Sequence, residues 1–168
     1  MRMTDMILVQ IGVIHTPYDK STGAPIQSKY GSDVRGEVEV YDRFAEGLDD
    51  LDGFERIWLV YGADRAREPR LKVVPYRDTV ERGVFSTRSP SRPNSICISV
   101  VRLIARKKNR LEIEGIDMLD GTPLYDIKPY VPAVDAFPDS RGGWFEAVRG
   151  EERGDVKHAD ERFYSENQ

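Results

Sequence analysis

Apolar residues in this chain recur at every second position in short runs, and only one stretch repeats at helical spacing. Period two is the mark of strands, whose successive side chains point to opposite faces. Val34, Val38 and Val40 alternate with Arg35, Glu37 and Glu39, and Gly36 between them predicts a bulge. Leu111 and Ile113 alternate with Glu112 and Glu114, which gives that strand one wet face. Ile96, Ile98 and Val100 alternate with Cys97, Ser99 and Val101. Residues 6–14 and Ile57-Trp58-Leu59-Val60-Tyr61 are apolar runs suited to strands buried on both sides. The helical exception lies at about Asp42 to Leu51, where Phe44, Leu48 and Leu51 fall at i, i+4 and i+7. Asp52-Gly53 supplies suitable chemistry to end it. Short strands without long helices between them predict a mainly β fold, barrel or sandwich, rather than a βαβ sheet.

At 168 residues the chain can bury one core of its own. Gly142-Gly143 predicts the end of the strand-forming part, so residues 1–145 read as one domain and 146–168 as a polar tail. In that tail Glu151, Glu152, Asp155, Asp160 and Glu161 interleave with Arg149, Arg153, Lys157 and Arg162, as expected of a solvated or loosely docked segment. A net charge of -4 argues against a protein that coats nucleic acid generally. Two local basic segments remain: Arg65, Arg67 and Arg70, then Arg102, Arg106, Lys107, Lys108 and Arg110. Each reads equally as a phosphate contact or as a solvated surface.

The single Cys97 excludes a disulfide framework within the chain and reads as a strand residue rather than a nucleophile. His15 reads as a strand end and His158 as a tail residue, and no metal-ligand spacing joins them. The chain has no Gly-x-Gly-x-x-Gly turn opening a helix, which argues against a Rossmann nucleotide site. Its longest apolar run is far too short to cross a membrane, and Asp5 and Gln10 interrupt the N-terminal one. A cytoplasmic protein is expected.

Two stiff polar loops interrupt the strands. The first is Thr87-Arg88-Ser89-Pro90-Ser91-Arg92-Pro93-Asn94. Pro90 and Pro93 fix φ and bias Ser89 and Arg92 away from helix, which lowers the ordering cost of presenting two guanidiniums and an amide. The second is Leu119-Asp120-Gly121-Thr122-Pro123, followed by Asp126-Ile127-Lys128-Pro129-Tyr130. Stiff polar loops between apolar strands are the parts of a preorganised binding site.

Together with Ile11-Gly12-Val13-Ile14, Pro17-Tyr18, Gly47-Leu48 and Ile57-Trp58-Leu59, these loops resemble the TsaA-like, or TrmO, family over roughly residues 7 to 135. The resemblance implies a compact β-barrel with one short helix and irregular loops. It implies a homodimer that binds S-adenosylmethionine outside any Rossmann fold. Characterised bacterial members methylate N6 of threonylcarbamoyladenosine, the tRNA nucleotide just 3′ of the anticodon. Their cofactor contacts carry over to Pro25, Ile26, Gln27, Ala63, Asp64, Arg88, Ile98, Leu119, Asp120, Gly121 and Thr122.

That chemistry suits the cofactor. A guanidinium, Arg88 or Arg92, can pair with its carboxylate. Asp120, Gln27 and backbone carbonyls can accept from its ammonium and ribose. Gly121 permits close backbone approach, and Ile98 and Leu119 offer apolar walls for adenine. For the proton on N6, Asp120 and then Asp64 are the candidate acceptors. Arg92 is suited either to the threonyl carboxylate or to a loop carbonyl, and Asn94 either to the base edge or to capping its turn. The chain departs from the bacterial pattern at Ile26, Ala63-Asp64, Ser91 and Ser95-Ile96-Cys97. These departures keep the methyl-donor site and bear on the acceptor. A non-catalytic cofactor-binding barrel and a methyltransferase for another acceptor are the alternatives.

Overall fold

A computed structural model describes residues 7–148 and 157–164. Its strands in chain order are β1 (Gly12–His15), β2 (Arg35–Val40), β3 (Arg56–Gly62), β4 (Lys72–Val73), β5 (Arg82–Gly83), β6 (Ile96–Lys107), β7 (Arg110–Glu114) and β8 (Thr122–Pro129). Six of them close an antiparallel barrel in the order β1-β2-β7-β6-β3-β8, with β8 pairing back to β1. Closure leaves no free sheet edge, and β4 and β5 form a separate two-stranded ribbon.

Alternation decides the barrel's interior. Val38, Val40, Leu111 and Ile113 are all buried, as their spacing predicts, and Val38 stands opposite Leu111. Ile14, Ile57, Leu59, Val101 and Leu124 complete the core from the other strands. On β6 the inward set is Ser99 and Val101, while Ile96 and Ile98 face out and stay 38% and 50% exposed. Ile57→Val removes one methylene from this closed interior and is expected to cost about 0.5–1.5 kcal/mol, read from urea unfolding.

Several local expectations need correction. Gly36 makes no bulge: it pairs in register with Ile113, and a Cβ there would meet the His15 carbonyl oxygen at 2.6 Å. Close packing against β1 is what demands glycine. The register shifts lie instead at Val60/Tyr61 and Leu103/Ala105. The apolar run at 6–14 is a strand only over Gly12–His15; Ile7, Leu8 and Val9 are exposed, and Met6 lies outside the described residues. The expected helix near 42–51 is two 3-10 turns, Asp42–Leu48 and Leu51–Gly53, separated at Asp50 with φ 64°. A left-handed residue ends any helical hydrogen-bond ladder. Leu48 and Leu51 still bury against the barrel.

The strand that alternation gave a wet face carries a charge lattice. Arg35 meets Glu112 at 2.8 Å and Glu114 at 3.7 Å, and Arg110 bridges Glu37 and Glu39. Arg102 reaches Glu114, and Arg106 reaches Asp49 and the Leu48 carbonyl oxygen. The arginines of the second basic segment are therefore matched by carboxylates, which favours its solvated-surface reading. Exposed pairs of this kind contribute about 0–1 kcal/mol each.

The last barrel strand ends at Pro129, ahead of Gly142-Gly143; the short helices α1 (Pro132–Asp135) and α2 (Trp144–Ala147) follow. Residues 157–164, expected in a solvated or loosely docked tail, make docking contacts. His158 bridges to Pro25, Tyr164 bridges to Ala66, and Phe163 buries with Val73 and Val84. The expected tail residues Arg149, Glu151, Glu152, Arg153 and Asp155 lie outside the described residues. Among the described residues no helix is long and apolar enough to cross a membrane.

Candidate functional site

The carboxylate of Asp117 sits at the centre of the polar chemistry. Its neighbours Ile116 and Met118 are both buried in the barrel core, leaving Asp117 to line a cavity of about 840 Å³. That volume is in the range of small-molecule sites. Ser99, projecting inward from β6, donates to Asp117 Oδ1 at 2.6 Å. The Tyr61 hydroxyl of β3 lies 3.4 Å from the same oxygen and 3.0 Å from Ser99 Oγ. Burial pushes the Asp117 carboxyl up to about 6, against the opposing pull of Ser99, the Ser28 backbone N–H, Tyr61 and the Arg88 charge. Among the described residues, Asp117 is the one carboxylate lining the cavity.

Cations and rings make the walls. Arg88 donates from Nη1 to Gln27 Oε1, joining the stiff loop to the 25–27 segment. Arg92 donates from Nη2 to the Val84 and Thr87 carbonyl oxygens at 2.9 and 3.0 Å, so it holds its own loop in shape. Its Nε is buried without a partner among the described residues. Arg77, buried, lies 4.6 Å over the Phe145 ring and 5.6 Å over the Tyr30 ring. The Trp144 indole donates to the Ser86 carbonyl oxygen at 2.7 Å, fixing α2 across the same loop. Phe163 and Tyr164 bring the docked C-terminal segment into the wall.

Seven of the residues singled out in the sequence meet in this cavity: Pro25, Ile26, Gln27, Arg88, Arg92, Ile98 and Leu119. Ala63, Asp64, Asn94, Asp120, Gly121 and Thr122 do not line it. Asp120 is committed elsewhere, with Oδ1 accepting from the Thr16 N–H at 3.0 Å and lying 3.6 Å from His15 Nδ1. Gly121 takes φ 76° and gives its N–H to the Ile14 carbonyl oxygen, so its special conformation serves the turn into β8. Thr122 is buried and bonds the Leu119 carbonyl oxygen at 2.7 Å. Arg65 ties two of these segments together: it donates to the Asp120 carbonyl oxygen and lies 3.9 Å from the Asp64 carboxylate. The Asn94 carbonyl oxygen accepts from the Ile96 N–H, which closes its turn.

Asp117, Tyr61, Arg77, Trp144, Phe163 and Tyr164 are cavity residues that sequence reasoning missed, as is Ser99, which bonds Asp117. A signal existed for Asp117, a lone acid between two apolar residues just before the Leu119-Asp120-Gly121 turn. Cys97 also lines the cavity, but burial and then the Asp117 charge push its thiol up to about 11, which leaves it a protonated wall residue.

The sequence model of the tRNA-methyltransferase O N-terminal domain matches residues 13–136. A probable S-adenosyl-L-methionine-binding protein of Pyrococcus abyssi is 46% identical over 94% of this chain and 84% of its own length. The tRNA (adenine(37)-N6)-methyltransferase of Escherichia coli is 30% identical over 87% of this chain and 66% of its own length. The crystal structure of TrmO from Pseudomonas aeruginosa superposes with a TM-score of 0.71 at 36% identity, over 83% of this chain and 62% of that one. The chain thus spans less than two thirds of the solved bacterial protein.

Proposed function

The chain belongs to the tRNA-methyltransferase O N-terminal domain family, and on that premise we propose that it transfers a methyl group from S-adenosylmethionine to tRNA. The acceptor in this reading is N6 of threonylcarbamoyladenosine beside the anticodon. One observation carries it: a cavity whose only lining carboxylate among the described residues, Asp117, is close enough to Arg88 to feel its charge. The amino-acid end of S-adenosylmethionine is a zwitterion. Arg88 takes its carboxylate in a charge-assisted bond, and Asp117 takes its ammonium. Ile98, Leu119 and the aromatic walls supply apolar surface for adenine.

The bound cofactor supplies an electrophilic methyl on its sulfonium, so no covalent intermediate with the protein is needed. The larger share of the chemistry is then positioning. Arg92 and the two prolines hold the loop that presents Arg88, and Ser99 and Tyr61 hold the Asp117 carboxylate. With Asp117 on the ammonium, the N6 proton goes to another group. Asp120, next in sequence to the cavity residue Leu119, is our candidate there, ahead of Asp64; to act, its carboxylate has to exchange the Thr16 N–H for the substrate. A homodimer in the cytoplasm belongs to the same reading; exposed Phe85, Ile96 and Ile98 at the cavity supply apolar surface for a second copy.

Incubation with methyl-labelled S-adenosylmethionine and tRNA carrying threonylcarbamoyladenosine is expected to yield the N6-methylated nucleoside. Saturable cofactor binding without transfer to any tRNA would instead make the chain a non-catalytic binding barrel. Arg88→Ala is expected to weaken S-adenosylmethionine by about 1.5–3 kcal/mol, the range for a bond to a charged group. Unchanged affinity in calorimetry would remove Arg88 from the site.

A further inference from the structure

A second cleft, of about 480 Å³, shares Phe163 with the larger cavity and lies across the 89–92 loop from it. Pro90 and Arg92 line the larger cavity, and Ser91 between them lines the cleft. Arg67, Arg70 and Arg162 meet there with Thr79, and among the described residues no carboxylate lines it. Arg162 is already neutralised, bonding Asp160 at 2.7 Å. Arg67 uses Nε on the Tyr164 carbonyl oxygen at 2.9 Å, which leaves the rest of its fork. Arg70 is anchored by its backbone N–H on the Ser91 carbonyl oxygen at 3.1 Å, and its exposed guanidinium meets no carboxylate among the described residues. Of the acids nearest in sequence, Asp78 is bonded to Arg82, and Glu68 is exposed and outside the lining.

Two uncompensated guanidiniums beside a hydroxyl, in a cleft free of carboxylates, are a phosphate-binding arrangement. A chain of net charge -4 has to meet a polyanion locally, and the arginines of the second basic segment are spent on their own carboxylates. We propose that this cleft binds a backbone phosphate of the tRNA, next to the nucleoside presented to the larger cavity. The assignment rests on the tRNA methyltransferase reading. It gives the 89–92 loop two faces, one for the methyl donor and one for the acceptor's backbone.

The test is fluorescence anisotropy with labelled tRNA across a salt series from roughly 50 to 200 mM. Arg70→Ala is expected to weaken binding about ten-fold at the lowest salt. It is also expected to flatten the log–log salt slope by about one. Lys107→Ala, an exposed cation on the β6–β7 hairpin, is expected to keep the wild-type affinity and slope. Calorimetry with S-adenosylmethionine should find Arg70→Ala unchanged, which establishes that the variant is folded. A wild-type salt slope in Arg70→Ala would overturn the cleft assignment, as would an equal loss in Lys107→Ala. Wild-type protein that binds the cofactor but shows no salt-dependent affinity for tRNA would sink the tRNA reading itself.

Discussion

Asp117→Asn is expected to weaken S-adenosylmethionine and S-adenosylhomocysteine together, by about 30-fold or more, while leaving 5′-methylthioadenosine nearly unaffected. The first two ligands share the amino-acid end and the third lacks it. Removing one partner of a buried charge pair costs about 2–5 kcal/mol. Asparagine keeps the size of the side chain and an oxygen for Ser99 and Tyr61, and it deletes the charge while turning the other acceptor oxygen into an NH2. Calorimetry with the three ligands separates the possible roles. An equal loss for all three would make Asp117 a shaping residue of the cavity. Unchanged affinities with a collapsed turnover would make it the proton acceptor instead.

The same carboxyl predicts a pH dependence. With a value near 6 in the free protein, Asp117 is ionised above that pH and neutral below it. Cofactor affinity should therefore hold on the alkaline side and fall as pH drops through about 6. Its effect on folding has the opposite sign. The folded state holds this proton more tightly than the unfolded chain, whose carboxyl titrates near 3.8. The group favours folding most below pH 3.8, and that advantage is lost as pH rises through about 6. At neutral pH Asp117→Asn should thus fold at least as stably as the wild type, because an ionised carboxylate no longer has to be buried. A binding site held at the expense of stability is what such a pair of results would show.

The strands and the stiff loop were legible because each is settled by near neighbours in sequence. Alternation assigned Val38, Val40, Leu111 and Ile113 to the interior with nothing beyond the side chains themselves. Pro90 and Pro93 announced a rigid loop, and Arg88 lines the cavity that this loop borders. What was not legible depends on partners far along the chain. Gly36 looked like a bulge because its reason, the His15 carbonyl oxygen, lies on another strand. Asp120 stood out by its motif, yet the Thr16 N–H holds its carboxylate away from the cavity. Asp117 went unnoticed because its significance lies in Ser99 and Tyr61, which only barrel closure brings to it. For the C-terminal segment the sequence left solvated and docked readings open for a further reason. Its many charges mask the two residues that decide its position, Phe163 and Tyr164.

Phe163→Ala is accordingly expected to detach that segment without melting the barrel. Phe163 packs on Val73 and Val84 and meets the Tyr76 ring edge-on at 4.9 Å. Truncating a buried phenylalanine costs about 3–5 kcal/mol. The rest of the segment is held by Tyr164, packed on the same cluster, and by a few hydrogen bonds, among them Ala159 to Ala24, the Arg67 N–H to the Phe163 carbonyl oxygen and Arg162 to the Pro75 carbonyl oxygen. Net hydrogen bonds of about 1 kcal/mol each do not replace the lost packing. The barrel core, from Ile14 to Leu124, contains neither Phe163 nor its ring partner, so the main unfolding transition should barely move. Limited proteolysis should cut near 157–164 far faster than in the wild type. S-adenosylmethionine should bind more weakly too, because Phe163 and Tyr164 are part of the cavity wall. Phe163→Leu, which keeps most of the apolar volume, should restore much of both. If Phe163→Ala instead lowered the main transition by the full packing energy, segment and barrel would fold as one cooperative unit. If proteolysis and cofactor affinity both stayed at wild-type values, the segment would be no functional wall of the site.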